Sequence, residues 1–278
     1  MSGEELRYEA DGLTMSGALF RPAKSAGSAP GVLVFPEAFG LSEHALKVAE
    51  RLAGELGYVA LACDLWGERK NITSLPEVMP MLQALMADIP GMRSRGTEPL
   101  QMLQAQHGVD PKRIAAIGFC FGGTMSFELA TCSDIKAAIG FHSGLKVPSL
   151  ATGGAAGITE CKILAMIGQD DPAIPPETRE EFIRVLSEAG VDWQMTLYGG
   201  VVHSFTNPLA DSAGMPAVLR YDAKADRRSW EQMAGLLKEV FGELPWPRGP
   251  LRLHQLDRPA VDLLGGHAGL VEFAADAE

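Results

Sequence analysis

The sequence contains few charged residues, no basic cluster and no long apolar run. Charged residues make up 21% of its 278 residues, and the acidic excess gives a formal net charge of −11. Nucleic-acid-binding proteins contact phosphates through clustered Lys and Arg, so this balance argues against a nucleic-acid partner. The apolar runs fall short of the roughly 20 residues that span a bilayer, which argues against a membrane partner.

Cysteines are few and form no motif. The four of them, Cys63, Cys120, Cys132 and Cys161, include no CxxC pair. Their spacing argues against a zinc site and against a disulfide framework. Residues 1–12 are polar and acidic and lack the order of a secretory signal, so we expect a cytoplasmic protein.

Apolar residues, in contrast, make up 46% of the chain, enough to bury the core of one large domain. We expect this domain to occupy residues 1–244. The composition then shifts to the segment PWPRGP, and residues 245–278 are expected to form a C-terminal extension. That extension could be disordered, draped over the domain or exchanged with a neighbouring subunit, so both a monomer and a homodimer remain open.

The order of patterns along the chain predicts an α/β fold. Alternating residues around the turn signal Asp11-Gly12, at 6–22, predict an antiparallel pair of strands at a sheet edge. Short apolar runs then alternate with helical patterns, which predicts a mostly parallel central sheet with helices on both faces and little or no cap domain. We predict strands at residues 31–35, 58–63, 113–119, 135–141, 162–167 and 193–198, and helices at 43–56, 122–132, 176–189 and 222–241.

A glycine-rich turn between a predicted strand and a predicted helix contains Cys120. The segment Gly118-Phe119-Cys120-Phe121-Gly122-Gly123 has the pattern of a nucleophile elbow with cysteine in place of serine. The helix N-terminus would stabilise a thiolate, and the backbone N–H of Phe121 would point toward the oxygen of an attacked carbonyl. The alternative is a buried structural cysteine.

A carboxylate and a histidine follow later in the chain, in the order that such hydrolases use. Asp171 lies just past one predicted strand and His203 just past the next, where the carboxyl ends of parallel strands meet. We therefore predict that Asp171 orients His203 and that His203 activates Cys120. Asp171 is preferred to Asp170 because it directly precedes Pro172 in a fixed turn.

The remaining histidines are weaker candidates. His44, His107, His254 and His267 lie on predicted helix faces or in the tail, where histidines are mostly surface residues. His142 ends a predicted strand and should therefore border the same pocket. Its side chain could contact substrate or form a structural hydrogen bond.

Three stretches of the sequence resemble the dienelactone hydrolase family. They are FPEAFGLSEH with ACDLWGER, then DPKRIAAIGFCFGG, and finally the pair GQDDP and YGGVVHSF, which together cover about residues 10 to 240. The resemblance implies an α/β-hydrolase fold and a triad of Cys120, Asp171 and His203. It does not extend to the tail.

The resemblance also implies two roles in the PEAFG turn. Glu37 would approach Cys120 and help to remove its proton when substrate binds, although it could instead be a surface ion-pair partner. The N–H of Ala38 would join that of Phe121 in an oxyanion hole.

One position departs from the family pattern. Members acting on anionic dienelactones have an arginine four residues after the histidine, where this chain has Asn207. An amide cannot make the forked, charge-assisted contact of a guanidinium. The Met-rich helical segment Val78 to Met86 also lacks the second arginine of such members, although Arg93 or Arg95 nearby could substitute for that one. Phe39 and Trp66 could line the substrate pocket together with Asn207, or could belong to the core.

These features predict a hydrolase of ester bonds that needs no cofactor and no metal. It would cleave an ester or lactone of a small molecule through a Cys-His-Asp triad and an acyl-thioester, as a carboxymethylenebutenolidase does. A carboxylesterase or thioesterase for neutral, apolar substrates is the first alternative. The second is a hydrolase-like binding or redox-sensing protein in which Cys120 is oxidised.

Overall fold

A computed structural model describes residues 3–23, 27–158 and 160–242, so the predicted extension at 245–278 lies outside it. Within those ranges, eight strands form a single sheet in the order β1-β2-β4-β3-β5-β6-β7-β8. The strands are β1 (Glu4–Ala10), β2 (Leu13–Phe20), β3 (Ala29–Phe35), β4 (Val59–Ala62), β5 (Val109–Phe119), β6 (Ala137–Phe141), β7 (Lys162–Gly168) and β8 (Trp193–Tyr198).

Helices connect the strands on both faces of the sheet. They are α1 (Glu43–Leu56), α2 (Leu75–Ala87), α3 (Ile89–Gln104), α4 (Phe121–Ala130), α5 (Pro148–Ala151), α6 (Pro176–Glu188) and α7 (Ala223–Phe241). No helix in the described ranges has the length and apolar character needed to cross a bilayer.

The sheet confirms the predicted α/β architecture. β1 and β2 form an antiparallel hairpin whose turn residues Asp11 and Gly12 both have positive φ, the conformation that a two-residue hairpin turn requires. β1 lies at the sheet edge, and β2 also pairs antiparallel with β4. The pairings from β4 through β3 to β8 are parallel.

Strand β3 shows how the sheet is buried on both faces. Val32 and Val34 pack into one apolar cluster, which also contains side chains of α1 and α7. Leu33 and Phe35 point the opposite way, into a cluster with side chains of α3 and α4. Because successive residues of a strand face opposite sides, the continuous apolar run GVLVF fits a strand covered by helices on both faces.

Helices α2 and α3 meet at Asp88, two residues before the dipeptide Pro90-Gly91. The Asp88 side chain caps α3 by accepting a hydrogen bond from the N–H of Gly91 at 3.1 Å. Pro90 then lies in the first turn, where a backbone N–H has no intrahelical partner. Between β6 and β7 the chain forms α5 and a 3₁₀ turn, Gly154–Gly157, which are too short to produce a recognisable period in the sequence.

Close backbone packing explains the glycines around the β5–α4 turn. A methyl group at Gly122 would collide with the carbonyl oxygen of Phe35 at the end of β3. One at Gly118 would collide with the backbone of Gly122, and one at Gly123 with the Ser143 side chain. These positions therefore let α4 begin directly against the carboxyl ends of the central strands.

We predict that Gly122→Ala lowers the free energy of unfolding by roughly 1–3 kcal/mol or more, because backbone atoms must move to admit the methyl group. Gly54→Ala is the matched control, since the space around this exposed glycine in α1 is open. That control should gain about 0.5–1 kcal/mol from higher helix propensity. Denaturant titration measures both values, and an unchanged midpoint for Gly122→Ala would contradict the packing argument.

Candidate active site

Cys120 lies at a sharp bend between the end of β5 and the first residue of α4. Its backbone has φ 53° and ψ −118°, a conformation that is costly for a residue with a side chain. Hydrogen bonds hold the bend: the Cys120 N–H donates to Phe141 at 3.1 Å, and its carbonyl accepts from Gly144 at 3.2 Å. The side chain is half-buried, and it lies where the dipole of α4 favours negative charge.

The structure brings the predicted histidine and acid together with this cysteine. His203 Nδ1 lies 2.7 Å from Asp171 Oδ2, and Cys120 lies close enough to the His203 ring to raise its pKa. Because Nδ1 faces the carboxylate, Nε2 is the ring nitrogen left for the sulfur. Asp171 is buried and receives a further hydrogen bond from the N–H of Ala173 at 2.9 Å, whereas Asp170 is exposed.

This environment favours the protonated form of His203. Burial alone would lower the pKa of the imidazole, because a buried cation loses its hydration. The interactions of the ring with Cys120 and with the Asp171 carboxylate outweigh that effect and raise the pKa of His203 to about 10.

His142 lies beneath His203 and is completely buried. Its Nε2 forms a hydrogen bond with Thr206 Oγ1 at 2.8 Å, and its ring meets the His203 ring edge-on at 5.1 Å between centroids. Burial, and then the positive charges of His203 and His44, hold its pKa well below the ordinary value. Of the two roles expected for His142, the structure therefore shows the structural hydrogen bond, and the ring is out of reach of a substrate.

Glu37 is buried and its carboxylate is held by three side chains. His44 Nδ1 lies 2.8 Å from Oε1, Asn207 Nδ2 donates to the same oxygen at 3.0 Å, and Ser42 Oγ donates to Oε2 at 3.2 Å. Burial raises the pKa of this carboxyl group, but the contacts with His44 and Asn207 outweigh that effect and lower it. Glu37 is thus an ionised carboxylate that faces these three residues, which we call the Glu37 cradle.

His44 was not expected in the site, and the expectation that it is a surface residue is wrong. Its side chain is only 7% exposed and lies against Glu37. One signal was available in the sequence. Ser42 is an N-cap type of residue, so His44 had to fall in the first turn of α1, directly after the loop that carries Glu37.

The arginines that could have replaced the missing family arginine are paired elsewhere. Arg93 Nε contacts the buried carboxylate of Glu128 at 3.3 Å. Arg95 Nη2 contacts Asp11 at 2.6 Å, and its guanidinium lies 5.3 Å from the centre of the Trp66 ring. Asn207 likewise directs its amide at Glu37 rather than being left for a substrate carboxylate.

The turn after β3 is anchored to Trp66. The indole N–H of Trp66 donates to the carbonyl of Ala38 at 2.7 Å, and its ring stacks on Phe121 with 9° between the ring planes. These contacts fix the Ala38 peptide beside the first residue of α4, where the N–H of Phe121 has no intrahelical partner. Trp66 is buried in the core, whereas Phe39 is half-buried beside Glu37.

A cavity of about 610 Å³ lies between the segment that follows β6 and helix α6, and its lining does not include Cys120, Asp171 or His203. One wall begins at Leu145, and the preceding residue, Gly144, donates its N–H to the carbonyl of Cys120. The other wall begins at Pro175, and the preceding residue, Ile174, donates its N–H to the carbonyl of Asp171 at 3.2 Å. Its apolar lining consists of Met86, Leu145, Val147, Pro148, Leu150, Ala151, Pro175, Phe182 and Val185. Among the described residues, no group of three or more His, Cys, Asp or Glu side chains is arranged to hold a metal ion.

Comparison with known proteins adds family information to this geometry. The model of the dienelactone hydrolase family matches residues 15–241 of the chain. A protein of Escherichia coli (strain K12), provisionally named carboxymethylenebutenolidase, is 26% identical over an alignment of 231 residues. The match covers 80% of this chain and 82% of that protein.

Solved structures with similar folds include relatives of the same family. The crystal structure of a dienelactone hydrolase-like promiscuous phosphotriesterase from metagenomic libraries is 38% identical, with a TM-score of 0.80. The match covers 87% of this chain and 99% of that one. A thermophilic esterase from Thermogutta terrifontis, with its propionate bound, is 18% identical, with a TM-score of 0.60 over 89% of this chain and 97% of the other, and shares the fold.

Proposed function

Because the chain belongs to the dienelactone hydrolase family and is therefore a hydrolase acting on ester bonds, we propose that it cleaves small esters or lactones through Cys120, His203 and Asp171. The observation that carries this proposal is the placement of His203. One ring nitrogen faces the buried Asp171 and the other side of the ring meets Cys120 at a strained bend. A nucleophile, a base and an orienting acid in this arrangement perform acyl transfer.

In the first half-reaction the Cys120 thiolate attacks the carbonyl carbon. A new C–S bond forms and the carbonyl electrons move to oxygen, where the N–H groups of Phe121 and Ala38 stabilise the oxyanion. As the C–O bond to the leaving group breaks, the His203 imidazolium gives its proton to the departing alkoxide. The products are an acyl-thioester on Cys120 and an alcohol, or a ring-opened chain where the substrate is a lactone.

In the second half-reaction His203 is neutral and acts as a base. It takes a proton from a water molecule, whose oxygen attacks the thioester carbonyl and expels the Cys120 thiolate. The carboxylic acid leaves and the imidazolium–thiolate pair is restored. Asp171 keeps the Nδ1 proton of His203 in place throughout, so that Nε2 always faces the reacting atoms.

Substitution of Cys120 tests this function directly. Cys120→Ala should lower kcat for a chromogenic short-chain ester by about 10³-fold or more. Cys120→Ser should stay far below the wild-type rate, because a hydroxyl gains little from the helix terminus. Steady-state kinetics before and after thiol alkylation measure both effects.

The control is Cys132→Ser, which changes a half-buried cysteine outside the site and should leave turnover intact. A fully active Cys120→Ala variant would refute the mechanism. An inactive wild-type protein would favour the binding or redox-sensing alternative.

The contacts around the site favour neutral over anionic substrates. Asn207, Arg93 and Arg95 are engaged with Glu37, Glu128 and Asp11, respectively. The adjoining cavity is mostly apolar. A neutral ester with an apolar acyl or alcohol group matches this lining, because a substrate carboxylate would find no forked cation there.

Filling the cavity tests the neutral-substrate assignment. Thr178→Trp, in the α6 wall, should lower kcat/KM for an ester with a long apolar group roughly tenfold or more, and should spare an acetate ester. Glu180→Trp is the matched control, since Glu180 is exposed on α6 outside the lining. Equal effects on both esters, or a preference of the wild type for carboxylate-bearing lactones, would contradict the assignment.

A further inference from the structure

Arg179 is a buried cation that binds the segment carrying the proposed acid, Asp171. It is the fourth residue of α6 and is only 5% exposed. Its Nε donates to the carbonyl of Ile174 at 2.8 Å, and its Nη2 donates to the carbonyl of Gln169 at 2.9 Å. The guanidinium therefore bridges the two ends of the segment 169–174, and Asp171 lies between them.

Neither ion pairing nor helix stability accounts for an arginine at this position. In the described ranges, the hydrogen bonds of its guanidinium go to uncharged oxygen atoms of Gly168, Gln169 and Ile174. A cation near the N-terminus of a helix is also opposed by the helix dipole, so Arg179 brings no benefit to α6 itself. Because a buried cation needs acceptors in place of its lost hydration, the guanidinium and these carbonyls hold one another in place.

The same segment is also bound to the turn that precedes His203. The N–H of Gln169 donates to the carbonyl of Tyr198 at 2.9 Å, and the N–H of Asp170 donates to the carbonyl of Val201 at 3.0 Å. Arg179 thus holds the segment from the side of α6, while the turn after β8 holds it from the side of the histidine.

We propose that Arg179 is a positioning residue that fixes the segment 169–174 so that the Asp171 carboxylate faces His203. The inference rests on the proposed function, because it concerns the acid that orients the base. A displacement of about 1 Å in a catalytic group can lower a rate roughly 100-fold, so the 2.7 Å contact with His203 tolerates little movement. The planar guanidinium can bridge two carbonyls at once, whereas the compact ammonium of a lysine lacks this fork.

Two substitutions of Arg179 separate the bridge from the charge. Arg179→Met keeps a long side chain without donors, and it should lower kcat for an acetate ester roughly 10-fold to 100-fold. KM should stay nearly unchanged, because Arg179 does not line the cavity. Arg179→Lys keeps the positive charge but loses the fork, and kcat should fall by a similar factor.

The matched control is Arg184→Met, on the exposed side of the same helix. Arg184 forms ion pairs with Glu181 and Glu188, and its side chain is 53% exposed. Steady-state kinetics should give the wild-type kcat for this variant. Denaturant titration establishes that each variant is folded under the conditions of the assay.

The pKa of His203, followed by NMR, gives a readout that a merely structural role would not move. Burial lowers this pKa, and the interactions with Cys120 and Asp171 raise it. The pKa should therefore fall in Arg179→Lys, because the Asp171 carboxylate no longer stays against the ring while the charge at position 179 is kept. If Arg179→Met does not fold, kcat and this pKa in Arg179→Lys test the proposal.

Two results would overturn the inference. One is a wild-type kcat in either Arg179 variant, which would show that the bridge is not needed. The other is a lower kcat with the wild-type pKa of His203 in Arg179→Lys, which would show that Asp171 has not moved. Both results leave the proposed hydrolysis intact as long as Cys120→Ala is inactive, whereas an active Cys120→Ala variant would defeat the hydrolytic mechanism itself.

Discussion

The contact of His203 with Asp171 on one side and Cys120 on the other is the interaction on which the site depends. A thiol becomes an effective nucleophile near neutral pH only if a neighbouring group stabilises its charged form. In the proposed mechanism the His203 imidazolium provides this stabilisation, and the buried Asp171 carboxylate keeps the ring oriented. His142, packed edge-on against His203, supports the ring from below and is held neutral, so it adds no competing positive charge.

The fold makes this contact possible by bringing distant parts of the chain to one edge of the sheet. The cysteine follows β5, the aspartate follows β7 and the histidine follows β8, and parallel strands place all three carboxyl ends on the same side. The strained backbone at Cys120 is tolerated for two reasons. Glycines without a Cβ let α4 pack closely against the end of β3, and backbone hydrogen bonds hold the turn in place. The strained backbone at the proposed nucleophile is thus stabilised by packing elsewhere in the fold.

Much of this arrangement could be predicted from the sequence because it follows from chain order. Apolar runs separated by helical periods predict a parallel sheet, and residues just past the strand ends must then meet. The positions of Cys120, Asp171 and His203 follow from this rule, because each residue lies just past the end of a parallel strand. The contacts of His44 and Asn207 with Glu37 could not be predicted from chain order. They depend on how the side chains of the Glu37 loop, the first turn of α1 and the turn after His203 point toward one another. The same limitation left two roles open for His142.

Titration of His203 by NMR tests the central claim most directly. If Cys120 and His203 form a thiolate–imidazolium pair, the ring of His203 in the wild type keeps its proton far above the ordinary pKa of histidine. Cys120→Ser, which replaces the ionisable sulfur with a neutral hydroxyl of similar shape, should then lower the pKa of His203 by roughly 1–3 units. The same pKa in both proteins would contradict the account, because it would show that the cysteine carries no charge that the histidine senses.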